Sequence, residues 1–202
     1  MERAGFFHGN ILLVAGCGLA PALALTTRFG YGLLLGLVAW GLLLFLSLLF
    51  SSFREYLRNR EMQLAVFFIV GGTTVSLMEL GFRAWAPEVL RVLGLYLPVL
   101  VVGSLVWGYG VAYGLSYRPK RTFRMAMRVG GGYAAAVVVM AFVRELLGYG
   151  ALSLVPFADA ALVVPGLGDL PLRAAVAPAG AFFVFGYLAA LVRLAGRDGD
   201  AR

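Results

Sequence analysis

Apolar runs separated by short polar links dominate the pattern along the chain. Five runs are close to the roughly 20 residues that a helix needs to cross a bilayer, and a sixth is shorter. In chain order the runs are Ile11 to Leu25, Tyr31 to Ser52, Leu64 to Phe82, Val89 to Ser116, Met125 to Leu147 and Ala174 to Leu194. Links such as Phe53 to Gln63 are too polar for lipid. The pattern predicts an all-α integral membrane protein with six transmembrane helices in a single membrane domain, residues 1–202.

Two of the runs contain residues that interrupt helices. The first has Gly16, Gly18 and Pro21, and the fourth has Pro98, Gly103, Gly108 and Gly110. Broken membrane helices occur where the backbone is buried or lines a cavity, so Pro21, Pro98 and Gly103 are candidate midplane positions. Each interrupted run comes first in a group of three. This arrangement predicts two inverted three-helix repeats, about residues 9–84 and 88–195, with interrupted first and fourth helices.

Three of the ionisable side chains within or near the predicted spans are candidate site residues. Glu79 ends the third run, where a carboxylate is a candidate for ion coupling or transport. We favour the other interpretation, an interfacial carboxylate that pairs with Arg83, one helical turn further on. Arg144 and Glu145 lie near the end of the fifth run, and we favour a structural charge pair that meets a loop or snorkels to the membrane boundary.

The N-terminal run also allows a different interpretation. Val14 to Cys17 is similar to a lipobox, and Ala22 to Ala24 is similar to a signal-peptidase site. Against removal or lipidation, Arg3 is the only early cation and apolar sequence continues to Leu25. We therefore favour a short first span.

Composition and charge narrow the class of protein. The chain is 61% hydrophobic and only 13% charged, which excludes an ordinary soluble domain. If successive spans alternate in direction, twelve basic residues fall on one side and five on the other, so both termini are expected in the cytoplasm and residues 151–173 outside. The net charge of +7 therefore indicates orientation, not nucleic acid binding. The basic run from Arg118 to Arg124 also suits anionic lipid headgroups or an acidic partner, although a topology anchor is favoured.

Chemistry-bearing side chains are otherwise sparse. His8 is the only histidine, and no carboxylate cluster, metal-ligand spacing or nucleophile motif is present. We therefore predict no catalytic residue and no metal site. Residues Gly130 to Ala136 form a helix segment with little side-chain bulk, which predicts close packing against another helix.

Several motifs together resemble one family. They are Gly18-Leu19-Ala20-Pro21, Met78-Glu79-Leu80, Arg83-Ala84, Leu93 to Val102, Arg144 to Gly150 and Pro178 to Phe182. In this combination the chain resembles the six-span membrane subunits of the Rnf and sodium-pumping NADH:quinone oxidoreductase (Nqr) complexes. The predicted orientation is more similar to the Rnf E-type subunit, or its Nqr D-type counterpart, than to the A-type. The resemblance implies a multi-pass subunit of a bacterial or archaeal plasma membrane complex that couples electron transport to ion translocation.

The resemblance also implies partners and a cofactor. A sister subunit of inverted topology would share a [2Fe–2S] cluster near the midplane, with each subunit giving one cysteine from each broken helix. This chain has Ala20 and Ser104 at the two ligand positions, and its only cysteine is Cys17. We therefore predict no cofactor for this chain, and a subunit without its own share of the cluster. The alternative is a divergent, non-redox member that acts as a transporter or a small-molecule binding protein.

Overall fold

The structure is a computed structural model that describes residues 10–57, 59–153, 161–163 and 173–200. Helices account for nearly all of these residues. The elements, in chain order, are α1 (Ile11–Ala15), α2 (Leu19–Leu25), α3 (Phe29–Phe53), α4 (Arg60–Trp85), α5 (Pro87–Leu93), α6 (Tyr96–Val102), a π-helix (Leu105–Val111), α7 (Ala112–Ser116), α8 (Pro119–Tyr149), β1 (Ala151–Ser153), β2 (Ala161–Val163), α9 (Arg173–Val176) and α10 (Pro178–Asp200).

Three helices are long and apolar enough to cross a membrane, namely α3, α4 and α8. The number rises to four if α5 and the segment from Tyr96 to Gly108, which meet at a bend of 59°, form one broken span. The apolar part of α10, Pro178–Leu194, is shorter. A helical membrane protein is therefore confirmed, while the six spans and their inverted repeats stay predictions.

One short hairpin adds to the helical architecture. Strands β1 and β2 pair in antiparallel register, with Ala151 opposite Val163, inside the stretch predicted to lie outside the membrane. Gly150, with φ of 61°, follows the end of α8 and turns the chain into β1. Pairing then satisfies backbone groups that an irregular segment would leave without partners.

Both segments expected to be interrupted contain breaks. Between α1 and α2 the chain turns through Gly16 and Gly18, whose φ values of 67° and 74° lie in the left-handed region that glycine tolerates. In the fourth segment, α6 ends at Gly103 in extended backbone, and a π-helix follows. Such π-segments are rare and are frequently found at functional sites.

Pro21 lies after the break at Gly16 to Gly18, and Pro98 lies between the bend that joins α5 to α6 and the break at Gly103. Pro21 is the third residue of α2 and Pro98 is the third residue of α6. Backbone N–H groups in the first turn of a helix have no acceptor within the helix, so a proline there removes no hydrogen bond. Neither proline therefore breaks its helix, and the turn before α2 is made by Gly16 and Gly18.

The described residues form two compact units. Unit 1 contains the described residues up to Leu37 and from Gly131 onwards, and unit 2 contains Val38–Gly130. This grouping does not follow the two predicted repeats, because α3 and α8 each contribute to both units.

In unit 1, α3 and α8 pack closely through small residues. A methyl group added at Gly32 would collide with the Cβ of Ala141, and one added at Gly36 would lie 3.2 Å from the Cβ of Ala134. Small residues allow such close approach between membrane helices. Tyr133 adds a polar link, because its hydroxyl donates to the Gly18 carbonyl at 3.0 Å.

In unit 2, aromatic side chains around Phe67 pack together in a core that is otherwise mainly leucine and valine. Phe67 on α4 packs against Phe50 on α3, with ring centroids 6.0 Å apart, and against Trp107 in the π-helix at 4.6 Å. The start of the glycine-rich segment of α8 contacts Trp40, because a Cβ at Gly130 would collide with the indole ring. This contact and those of Ala134 and Ala141 in unit 1 confirm close packing along α8.

Candidate functional site

Arg144 is the largest fully buried side chain among the described residues, with 1% of its surface exposed. Its Nη1 donates to the carbonyl of Leu23 at 2.8 Å and to Thr26 Oγ1 at 2.6 Å. Its Nε and Nη2 donate to the carbonyls of Ala175 at 3.1 Å and Val176 at 2.8 Å. The guanidinium therefore binds the C-terminal ends of two short helices, α2 and α9.

These contacts follow from the chemistry of helix ends. The last carbonyls of a helix lack partners within it, and they carry partial negative charge that a cation stabilises. Arginine offers five donors in a fixed fork, so one side chain can serve two helix ends together. Thr26 is itself fixed, because its hydroxyl donates to the Ala22 carbonyl at 2.6 Å. The end of α2 is thus held by a polar network inside unit 1.

Glu145, the next residue, accepts hydrogen bonds from backbone N–H groups, whereas Arg144 donates to backbone carbonyls. Its Oε2 accepts a hydrogen bond from the backbone N–H of Phe29 at 2.7 Å, at the first residue of α3. Its Oε1 accepts one from the N–H of Ser153 in β1 at 3.0 Å. A carboxylate at a helix N-terminus satisfies a donor without a partner in the helix and complements the dipole.

The predicted charge pair therefore takes an unexpected form. Among the described residues the ion pairs are Arg54–Glu55 and Arg91–Glu88, and Arg144 and Glu145 do not pair with each other. Each contacts backbone groups of other elements instead. We call these two side chains and Thr26 the α8 clamp. It connects α8 to the ends of α2, α9 and β1 and to the start of α3.

The first predicted cluster position lies at the N-terminal end of α2, opposite the end that the clamp binds. Ala20 is the second residue of α2 and is exposed. Cys17 lies in the turn between α1 and α2, partly exposed, with a weak 3.9 Å hydrogen bond from its Sγ to the Ala15 carbonyl. The Ala20 methyl group has no lone pair to give to iron.

The second predicted cluster position lies in unit 2. Ser104 follows Gly103 in the turn between α6 and the π-helix, where it is exposed, and its carbonyl accepts from the Gly108 N–H at 3.0 Å. A buried iron–sulfur cluster is ordinarily held by thiolates. The alanine and serine present do not fit the [2Fe–2S] group that the family resemblance implies. The described residues also contain no group of three or more His, Cys, Asp or Glu side chains that could hold a metal ion.

Glu79 lies in the second half of α4 and is partly exposed. It forms no ion pair with Arg83 in the described part of the chain, so the pairing alternative lacks its expected contact. Only 17% of the most apolar 18-residue stretch of α4 is buried. Glu79 therefore lies on a helix that offers most of its surface to lipid or to other proteins, and its role in coupling stays a prediction.

Some of this arrangement had a signal in the sequence. An ionisable side chain inside an apolar run usually faces the protein interior and marks a functional site, and Arg144 is such a side chain. Asn10 before an apolar run is typical of a helix N-cap, and its Oδ1 accepts from the N–H groups of Leu12 and Leu13. Thr26 carried no such signal, because a lone threonine beyond a short apolar run is common in any loop.

Comparison with known proteins gives a consistent result. A sequence profile described as "Rnf-Nqr subunit, membrane protein" matches residues 2–189. The E subunit of the ion-translocating oxidoreductase complex of Paramagnetospirillum magneticum is 29% identical over 202 residues, covering 95% of this chain and 88% of the relative. The proteins of the same name in Azotobacter vinelandii and Shewanella sp. (strain ANA-3) are each 30% identical, covering 93% of this chain and 81% and 83% of the relatives.

Proposed function

We propose that this chain, which belongs to the Rnf-Nqr family of membrane subunits, is the E-type membrane subunit of an ion-translocating oxidoreductase complex. The observation that carries the proposal is the match over residues 2–189, together with similarity along nearly the whole chain to relatives of that type. The apolar helices α3, α4 and α8 fit a multi-pass membrane subunit. The family resemblance expected from the motifs is thereby confirmed.

Within such a complex, the chain acts without its own share of a [2Fe–2S] cluster. Ala20 and Ser104 supply no thiolate, and Cys17 is the only cysteine in the sequence. Electrons therefore pass through groups held by other subunits. The chain contributes membrane helices, two of its segments being broken at Gly16 to Gly18 and at Gly103. Two inverted three-helix repeats with both termini in the cytoplasm complete this proposal.

The partners that we propose are a sister membrane subunit and the other subunits of the complex. Helix α4 favours such contacts because it exposes large apolar side chains. These are Met62, Phe68, Ile69, Leu77, Leu80 and Trp85. Glu79 lies on the same helix, so a coupling role for its carboxylate would be exercised near a partner subunit or a lipid-facing path.

A second function is favoured by the same two ligand positions. A family member that lacks both thiolates could have left electron transport and become a transporter or a small-molecule binding protein. The broken helices would then line its substrate path. The two functions differ in what accompanies the chain in the membrane.

Purification from the native membrane under mild detergent distinguishes them. We expect the tagged chain to co-purify in fixed stoichiometry with flavin-bearing and ferredoxin-like proteins, identified by mass spectrometry. A tagged, unrelated multi-pass protein from the same membrane is the control. Recovery of the chain alone, from membranes that contain the other subunits, would contradict the complex and favour the carrier.

A further inference from the structure

Helix α8 is longer than a bilayer span. Its 31 residues rise about 46 Å at 1.5 Å per residue, whereas the hydrocarbon core is about 30 Å thick. About 16 Å of helix, or roughly ten residues, therefore extends beyond the hydrocarbon. The first ten residues of α8, Pro119 to Arg128, are the polar end of this helix and contain four cations.

These four cations share one side of α8. At 100° per residue, Lys120, Arg124, Arg128 and Arg121 fall within about 100° of one another. All four are exposed. We call them the basic face. Arg121 also stacks on the Tyr117 ring, with its Cζ 4.4 Å from the centroid.

The opposite side of the same turns is buried in unit 2. Thr122 is fully buried, and its hydroxyl donates to Ser51 Oγ at 3.2 Å. Ser51 Oγ in turn donates to the Tyr117 carbonyl at 2.8 Å. Ala126 is 6% exposed. These contacts fix the rotation of α8, so the basic face points away from the core of unit 2.

Three cations of the basic face lack a carboxylate partner in the part of the chain that the structure describes. The ion pairs there involve Arg54 and Arg91, not Lys120, Arg124 or Arg128. An aromatic ring, that of Phe123, lies beside the basic face and is 49% exposed. Cations next to an exposed aromatic ring suit the boundary between phosphate headgroups and acyl chains.

We propose that the basic face binds the phosphate groups of anionic phospholipids. These cations lie at the N-terminal end of α8, where the helix leaves the hydrocarbon core. They are therefore at the height of the lipid headgroups, which favours lipid over an acidic protein as the ligand. Arginine binds phosphate oxygens in bidentate fashion, and lysine binds them as a point charge. Each cation near an anionic surface raises affinity roughly fivefold.

The test compares two triple variants of the full chain. The first is Lys120→Gln, Arg124→Gln and Arg128→Gln; Arg121 is kept because of its contact with Tyr117. The control is Arg60→Gln, Arg83→Gln and Arg193→Gln, which removes the same charge from exposed sites elsewhere. Native mass spectrometry then measures the ratio of phosphatidylglycerol to phosphatidylcholine bound from an equimolar mixture. Melting temperatures of both variants verify folding.

We expect the unmodified chain to prefer phosphatidylglycerol, the first triple to lose at least about tenfold of that preference, and the control to change less than about twofold. Replacing Arg124 and Arg128 by lysine should retain most of the preference. Equal losses in both triples would show a general charge effect and overturn the proposal. If the unmodified chain binds both lipids equally, the proposal is also overturned. The same holds if the unmodified chain shows no lipid preference and the first triple variant loses a protein partner.

Discussion

Arg144→Met removes the guanidinium that binds the ends of α2 and α9. Methionine keeps much of the apolar stem but donates no hydrogen bond. The substitution leaves the carbonyls of Leu23, Ala175 and Val176 and the Thr26 hydroxyl without this donor.

The magnitude follows from the burial of these four acceptors. An acceptor left buried without a partner costs about 1–3 kcal/mol. Thr26 is fully buried, while Leu23, Ala175 and Val176 are partly exposed, so water can replace part of what their carbonyls lose. Methionine also avoids the desolvation of a buried cation, which offsets part of the loss. The four acceptors together give about 4–12 kcal/mol, and these two offsets reduce that loss, so we expect a net loss of about 3 kcal/mol.

A heating series in detergent measures this loss. For a chain of about 200 residues, 1 kcal/mol shifts the melting temperature by about 2–4 °C, so Arg144→Met should lower it by about 6–12 °C. The matched control is Arg128→Met on the same helix, where the side chain is exposed and the shift should stay within about 2 °C. Remaining monodisperse protein is measured by size-exclusion chromatography after each heating step.

The Thr26→Val substitution tests the network itself. Alone, it should cost about 1–3 kcal/mol, because the hydroxyl both accepts from Arg144 and donates to Ala22. In the Arg144→Met background its cost should be smaller, since the shared contact is already gone. A melting temperature for Arg144→Met within about 2 °C of the unmodified chain, or strict additivity of the two variants, would refute the reasoning.

Three further predictions concern packing, coupling and topology. Gly32→Ala should destabilise the chain by about 1–3 kcal/mol through collision with α8, whereas Gly41→Ala, where the added methyl group meets open space, should be neutral or stabilising; equal melting temperatures would contradict the packing. Glu79→Gln should preserve assembly and lower ion transport, and unchanged transport would leave the carboxylate a structural role. In a cysteine-free background, Glu55→Cys should react with an impermeant reagent only from the cytoplasm and Ala160→Cys only from outside, and the reverse pattern would invert the topology.

The helix breaks could be predicted from the sequence because their signals are local. Gly16 and Gly18 adopt φ values that favour glycine, and an apolar run that contains them stops being a continuous helix. The exact place of each break relative to Pro21 and Pro98 has an equally local reason. A proline in the first turn of a helix loses no hydrogen bond, so Pro21 follows the break at Gly16 to Gly18 and Pro98 follows the bend between α5 and α6.

The α8 clamp could not be predicted from sequence in the same way. Arg144 binds backbone carbonyls, which every residue has, so no residue type in the sequence identifies these acceptors. One of them, the carbonyl of Ala175, lies 31 positions away in the chain. Only tertiary packing brings those oxygens to the guanidinium. The hairpin of β1 and β2 was missed because strands of three residues are too short for an alternating pattern to be distinguished.

The central claim is that this family member works without its own share of a [2Fe–2S] cluster. Iron and acid-labile sulfide analysis of the purified chain with its sister subunit, with electron paramagnetic resonance of the reduced sample, tests it most directly. We predict no stoichiometric four-thiolate cluster in the unmodified protein, and a gain of iron in the Ala20→Cys, Ser104→Cys double variant that exceeds the gain in either single variant. A stoichiometric cluster in the unmodified protein would contradict the claim.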